Sequence, residues 1–214
     1  MTLDAALDQG LTALGLSLDK KQSDALLAYV RLLDKWNQVY NLTAVRSADA
    51  MLTQHVLDSL AVLPHLNGQT LLDVGSGGGL PGIPLAIAKP EVQVTLLDSN
   101  HKKATFLRQA VIELALPNVE VVCERAESWQ PQRQFDVVIS RAFSELSEFV
   151  AAAGRLCAPD GVLVAMKGVH PYEEIAQLPR TMRVQDVVSI RVPGLAADRH
   201  LVLLQPTTLT GPDA

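Results

Sequence analysis

Apolar residues recur at helical spacing through the first third of the chain. Leu3, Leu7, Leu11 and Leu14 fall on one face of a first helix. A second, longer helix is expected to begin near 17–19, where Asp19 and Gln22 have the spacing of a capping box. Its stripe is Leu26, Leu27, Val30, Leu33 and Val39, and it should end near Asn41. A third helix is expected over 48–63, with Leu52, Val56, Leu60 and Leu63 facing inward and Pro64 closing it.

From residue 69 the pattern changes. Short apolar runs at 70–74, 92–98, 119–123, 135–140 and 161–167 read as strands. Between them, 83–88, 102–116 and 145–156 read as helices. For the helix continuing over 83–88, Pro81 and Pro84 are tolerable only near its first turn. The 102–116 helix turns Phe106, Leu107, Ala110, Val111 and Leu114 inward. A short helix at 171–178 precedes two further strands, 184–192 and 200–205, which have no helix between them. Alternating strands and helices imply an α/β fold with a parallel, doubly wound sheet. The closing pair implies a hairpin that makes one edge antiparallel. This divides the chain into an N-terminal helical extension (1–64) packed on the core, an α/β domain (65–206) and a fraying tail (207–214).

Composition narrows the setting. With 214 residues, 48% of them hydrophobic and 19% charged, the chain can bury a substantial core. No apolar run reaches the ~20 residues that span a bilayer, and Asp4 stands where a signal peptide would carry positive charge. Cys123 and Cys157 form no metal-ligand spacing and are expected to be buried free thiols. These features fit a cytoplasmic protein with no membrane partner and no metal. The net charge of −5 argues against bulk nucleic-acid binding but leaves room for a local basic patch.

The chemistry concentrates after the first strand, in Asp73-Val74-Gly75-Ser76-Gly77-Gly78-Gly79. In a doubly wound sheet, ligands bind beyond the carboxyl ends of the strands. Glycines there permit tight turns and close approach to a ligand. Gly77, Gly79 and Gly82 formally match the dinucleotide fingerprint, so an NAD-dependent oxidoreductase is a rival reading. Two details favour a nucleoside lacking a diphosphate. Asp73 puts a carboxylate beside the loop, which suits the ammonium and sulfonium of S-adenosylmethionine and repels pyrophosphate. Pro81 and Pro84 remove N–H donors where a diphosphate needs them. Asp98, ending the second strand, can accept from ribose hydroxyls, or cap the helix that follows.

The loop and its continuation, Leu80-Pro81-Gly82-Ile83-Pro84-Leu85-Ala86, resemble the signature of the RsmG (GidB) family of bacterial methyltransferases. Trp36-Asn37, Asn41-Leu42-Thr43-Ala44 and His55-Val56-Leu57-Asp58-Ser59-Leu60 are similar to its N-terminal motifs. Asp98-Ser99 with Lys102-Lys103, Arg125-Ala126-Glu127, Ser140-Arg141-Ala142 and Met166-Lys167-Gly168 are similar to its later ones. The resemblance implies a class I S-adenosylmethionine-dependent methyltransferase fold, Rossmann-like, with a mainly parallel seven-stranded sheet. It also implies methyl transfer to N7 of a guanine (guanine 527) of 16S rRNA, with the 30S subunit as partner. Gly75, Gly77 and Leu80 would meet the cofactor from the first loop. Asp98 and Ser99 would meet its ribose, Ala126 and Glu127 its adenine, and Arg141 would sit at the pocket mouth.

Guanine N7 presents a lone pair, so its attack on a methyl carbon requires no prior deprotonation. Positioning then dominates and a dedicated base is not expected. His55 and Asp58, three apart on one helix face, could shape the target pocket or form a structural tie between the extension and the sheet. Arg141 could hold phosphate or the guanine edge, or pair with Glu127 or Glu145. Arg46, Lys102, Lys103, Arg108, Arg125, Lys167, Arg199 and His200 are collective candidates for phosphate contact. Trp36, Tyr40 and Phe143 could stack on a base, Trp36 being better suited to the core. With 4% aromatic residues, folded RNA or a particle is a better substrate than an extended strand. A monomer is expected, and a non-catalytic assembly factor is a third reading.

Overall fold

In a computed structural model, which describes residues 2–207, seven strands form one sheet in the order β3-β2-β1-β4-β5-β7-β6. The strands are β1 Thr70–Val74, β2 Gln93–Leu97, β3 Val119–Val122, β4 Phe135–Ser140, β5 Cys157–Lys167, β6 Met182–Ile190 and β7 Arg199–Pro206. The first five pair in parallel, whereas β7 runs antiparallel to both β5 and β6. The expected hairpin forms and makes this edge antiparallel, with its second strand seated between β5 and β6. Apolar Leu201, Val202, Leu203 and Leu204 are all buried, which an interior strand demands.

Two helices precede the sheet: α1 (Leu3–Leu14) and α2 (Lys20–Tyr40). Asp19 and Gln22 form the capping box as expected: Asp19 Oδ1 accepts from Gln22 N, and Gln22 Oε1 from Asp19 N, both at 2.8 Å. Gln22 also donates to the carbonyls of Ile87 and Ala88 at 3.1 Å, so one residue both starts α2 and docks it on the sheet layer. Val39 departs from the expected stripe. It is 72% exposed because it lies in the last turn, beyond the elements α2 covers.

The third helix, α3 (48–60), ends three residues sooner than expected and is not uniform. An α-helical turn Ala48–Met51 passes into a π-helical segment Leu52–Leu57 and returns to α-helix at Asp58–Leu60; Leu63 falls in a separate 3-10 turn. The N–H of Asp58 reaches the Thr53 carbonyl, and Ser59 Oγ donates to the His55 carbonyl at 2.6 Å. Single-turn π segments of this kind commonly mark functional positions.

The remaining helices are α4 (Gly82–Ala88), α5 (His101–Glu113), α6 (Leu146–Ala153) and α7 (Tyr172–Ala176). Leu7, Leu26, Leu33, Met51, Val56 and Leu60 share one apolar core with Ile83, Leu96, Phe106 and Ile139. Burial of that size is the main drive holding α1–α3 on one face of the sheet. The opposite face is covered by α6, through Leu146, Phe149 and Ala153 against Leu72, Val138 and Leu163. No described helix is long and apolar enough to cross a membrane. Of the tail expected to fray, 208–214 lies outside the described residues, and Thr207 N donates to Thr181 O at 2.8 Å.

Candidate functional site

The carboxyl ends of β1, β2, β4 and β5 open onto two neighbouring hollows. The first is a cleft bounded by Gly75, Asp98 and Ser99 on one side and by Ala126, Glu127 and Phe143 on the other. Five expected cofactor residues therefore come together: Gly75, Asp98, Ser99, Ala126 and Glu127. Gly77 and Leu80 do not line the cleft. Gly77 N–H is turned to Asp98 Oδ2 at 2.8 Å, and Leu80 is buried beneath the loop.

The loop's geometry answers the question of diphosphate against nucleoside. Gly75, Gly77 and Gly79 have φ of 72°, 59° and 87°, the left-handed region that glycine enters freely. Their N–H groups are already used. Gly75 and Ser76 donate to the Leu97 carbonyl at 2.8 and 3.1 Å, and Gly79 and Leu80 to the Ser76 carbonyl at 2.7 and 2.9 Å. Gly82 N–H goes to Asp73 Oδ2 at 2.9 Å. A diphosphate would need those donors, so the dinucleotide reading loses its binding logic.

Asp73 is fully buried under this loop, and its Oδ1 has no hydrogen-bond partner among the described residues. Burial pushes its carboxyl up to about 7, against the opposing pull of the Gly82 N–H and Ser76. A cationic ligand in the loop would stabilise the ionised form. Asp98 is more committed than the sequence suggests. Oδ2 holds Gly77 N and Oδ1 holds Asn100 N at 2.8 Å, so it fastens the loop while its remaining lone pairs face the cleft. It does not cap α5; Asn100 does, accepting from Lys102 N and Lys103 N.

The second hollow is lined by Gln54, His55, Asp58, Arg141, Lys167 and Arg199 among others. Asp58 is 1% exposed and is gripped from two sides: Arg141 Nη1 lies 3.2 Å from Oδ2, and Arg199 Nε 2.8 Å from Oδ1. Arg141 thus pairs with neither Glu127 nor Glu145. The buried carboxylate on α3 is the less screened partner. Arg141, which the resemblance also offered to the cofactor, borders this second hollow and not the first cleft. The next residues, Ala142 and Phe143, do line that cleft.

His55 and Asp58 have no hydrogen bond to each other. His55 Nε2 lies 2.7 Å from Thr43 Oγ1 and its Nδ1 2.9 Å from the Gln54 carbonyl. The carbonyl requires a proton on Nδ1, so Nε2 accepts from the Thr43 hydroxyl, which in turn accepts from Val45 N at 3.1 Å. Burial, then the Arg141 charge, lowers His55 to about 4. It is a neutral tie between the 41–46 loop and α3, with both ring nitrogens engaged, and no free base.

The basic candidates divide by partner. Lys103 and Arg125 border the cleft, Lys167 bonds Glu174 at 2.6 Å, Arg46 bonds Asn41 at 3.1 Å, and Lys102 and Arg108 are exposed. Trp36 packs between Phe106 and Tyr40, at centroid distances of 5.6 and 5.1 Å, and belongs to the core edge. Cys157 is buried as expected, and its thiol is pushed up to about 12. Cys123 is only half-buried, with Sγ 3.3 Å from His101 Nδ1, because β3 is an edge strand. Sequence reasoning missed Gln54 in the second hollow and Tyr29 beneath the loop. Tyr29 lies three residues after Leu26 on the buried stripe, the signal that could have singled it out.

Residues 22–202 match the family model GidB, described as rRNA small subunit methyltransferase G. A relative from Laribacter hongkongensis named "Ribosomal RNA small subunit methyltransferase G" is 60% identical over 204 residues, covering 95% of this chain and 99% of the relative. One of the same name from Chromobacterium violaceum is 60% identical over 204 residues, covering 94% and 98%. Among solved structures, the O-methyltransferase TomG from Streptomyces achromogenes, in complex with SAM, superposes with a TM-score of 0.59. It covers 97% of this chain and 100% of its own at 18% identity, a likeness of fold.

Proposed function

The chain belongs to the GidB family, rRNA small subunit methyltransferase G, and on that footing we propose that it moves a methyl group from S-adenosylmethionine to guanine N7 in small-subunit rRNA. The observation that carries this reading is the adjacency of the two hollows. Arg141 borders one, and Ala142 the other. Two ligands seated there would meet across a single stretch of backbone, at the carboxyl end of β4.

The first cleft fits the cofactor. Asp98 fixes the glycine loop and keeps lone pairs for ribose, while Leu97, Ala126 and Phe143 offer apolar surface for a purine ring. Asp73 supplies negative potential below. When bound, S-adenosylmethionine supplies an electrophilic methyl on a cationic sulfur.

The second hollow suits the edge of a guanine and its phosphate. Arg141 and Arg199 point planar donor forks into it, and guanine O6 and phosphate oxygens accept from such forks, which leaves the N7 lone pair free. Asp58 sets both guanidiniums in place. It leaves other N–H groups of each available, because Arg141 engages it through Nη1 and Arg199 through Nε. Neutral His55 has no proton to take and packs the wall. Catalysis then rests on orientation, as a nucleophile that already carries a free lone pair requires. The protein acts as a cytoplasmic monomer on the 30S particle, with guanine 527 as the target that the family resemblance implies.

The test is incubation of 30S particles lacking the modification with methyl-labelled cofactor, followed by mapping of the label. Label on a guanine N7 of 16S rRNA is expected. Absence of label, or label on another base or atom, overturns the reading. Stabilisation by NADH but not by S-adenosylhomocysteine in a thermal shift would instead favour the oxidoreductase.

A further inference from the structure

Beside the second hollow the chain leaves β5 and exposes an unusual group of rings. Gly168, itself part of the hollow's lining, is followed by Val169 (73% exposed), His170, Pro171 and Tyr172 (74% exposed). Tyr172 stacks on His170 with ring centroids 3.7 Å apart and planes inclined by 25°. His200 meets the same imidazole edge-on at 5.5 Å and 75°. His200 is next to Arg199, and its Nδ1 lies 3.2 Å from the Gly168 carbonyl, which joins the ring group to the hollow's rim.

From these positions we propose that Tyr172 and His170 form a base-stacking subsite for a nucleobase next to the target guanine; this rests on the RNA-methyltransferase reading above. An aromatic ring in water is costly to leave open, and Tyr172 gains little from the fold because α7, which it begins, buries no residue. One face of the ring is covered by His170 and the other is open. His170 Nδ1 is enclosed without a partner among the described residues, so the imidazole is held by its faces and not by a hydrogen bond.

The electrostatic setting favours RNA. Arg141, Arg199 and Lys167 lie towards the hollow, and the nearby acids are Asp58 and Glu174, both already paired, with Glu173 exposed on α7. A stacked base takes either purine or pyrimidine, because every base has a π face. The subsite would therefore add affinity and hold the flanking nucleotide while the guanine enters the hollow. It would not select sequence.

The test uses the full chain and unmodified 30S particles, with Tyr172→Ala, Tyr172→Leu and Tyr172→Phe. The Ala and Leu variants are expected to lose about tenfold or more in kcat/KM for the particle. Tyr172→Phe should keep near wild-type values, and S-adenosylhomocysteine affinity should be unchanged in all three. Leu retains apolar area without a π face, so Leu activity equal to Phe overturns stacking. Unchanged kcat/KM in the Ala variant overturns the subsite, as does a parallel loss of cofactor affinity. An azidophenylalanine placed at position 172 should crosslink to 16S rRNA; a crosslink to a ribosomal protein instead would assign the patch to a protein partner and overturn the proposal. Failure of the wild type to methylate the particle would strike the functional reading itself, which separates the two.

Discussion

The hydroxyl of Tyr29, wholly buried in α2, donates to the carbonyl oxygen of Gly78 at 2.6 Å. This bond ties the helical extension to the back of the glycine loop, so the loop is braced by a residue that does not line the first cleft. Burial also raises the phenol far above its usual range, which keeps it a donor at any working pH. Tyr29→Phe keeps the packing but leaves the Gly78 oxygen unpaired. It should lower stability by about 1–2 kcal/mol and weaken S-adenosylhomocysteine several-fold. Urea unfolding and titration calorimetry measure both; unaltered affinity would mean the loop does not need this anchor.

Gly75 offers a sharper lesion. A Cβ at this position would sit 2.7 Å from the Ala142 Cβ, on a backbone at φ 72° that L side chains rarely adopt. Gly75→Val is expected to abolish cofactor binding while far-UV circular dichroism stays native. Retained binding would show that the loop is not the site.

Asp73 should make cofactor affinity depend on pH. Its folded carboxyl titrates near 7, well above an ordinary aspartate, so the native state holds a proton between about 4 and 7 that the unfolded chain releases. Its contribution to stability therefore falls as pH rises through that window. A cationic ligand prefers the ionised form, so affinity for S-adenosylmethionine should increase from pH 6 to pH 8 with release of a proton. In Asp73→Asn that dependence should vanish, along with part of the affinity. Calorimetry in two buffers of different ionisation enthalpy reads the proton directly, and no proton release in the wild type would refute the account.

Asp58 holds two arginines, and its loss should act on one ligand only. Asp58→Asn is expected to cost ~2 kcal/mol of stability, the scale of charge-assisted hydrogen bonds. Turnover on 30S particles should fall by more than tenfold with S-adenosylhomocysteine affinity unchanged. Arg141→Ala should split the two ligands in the same way. Equal losses for both ligands in Arg141→Ala would return this residue to the cofactor cleft.

Local patterns disclosed the frame and missed the long-range partners. The capping box at Asp19 and Gln22, the strand ending at Val74 and the hairpin of β6 with β7 follow from spacing within a few residues, and they form as expected. Asp58 as the partner of Arg141 does not, because 83 residues separate them and Glu127 and Glu145 are nearer in sequence. The use of Asp98 to bind Gly77 N was hidden for the same reason. The π-helical segment Leu52–Leu57 leaves no mark in periodicity, since one shifted turn is shorter than the window in which a stripe can be recognised. Val39 shows the opposite error: a residue in phase with a stripe is buried only where something lies across from it.

The insertion of β7 between β5 and β6 makes the two hollows draw on different stretches of the chain. Every residue bordering the first cleft lies at or before Phe143, whereas the second hollow is incomplete until Arg199 reaches Asp58 from the start of β7. The first cleft thus draws on β1, β2 and the segments that follow β3 and β4, all N-terminal to β5. A change confined to the start of β7 is therefore expected to disturb the second hollow while leaving the lining of the first intact.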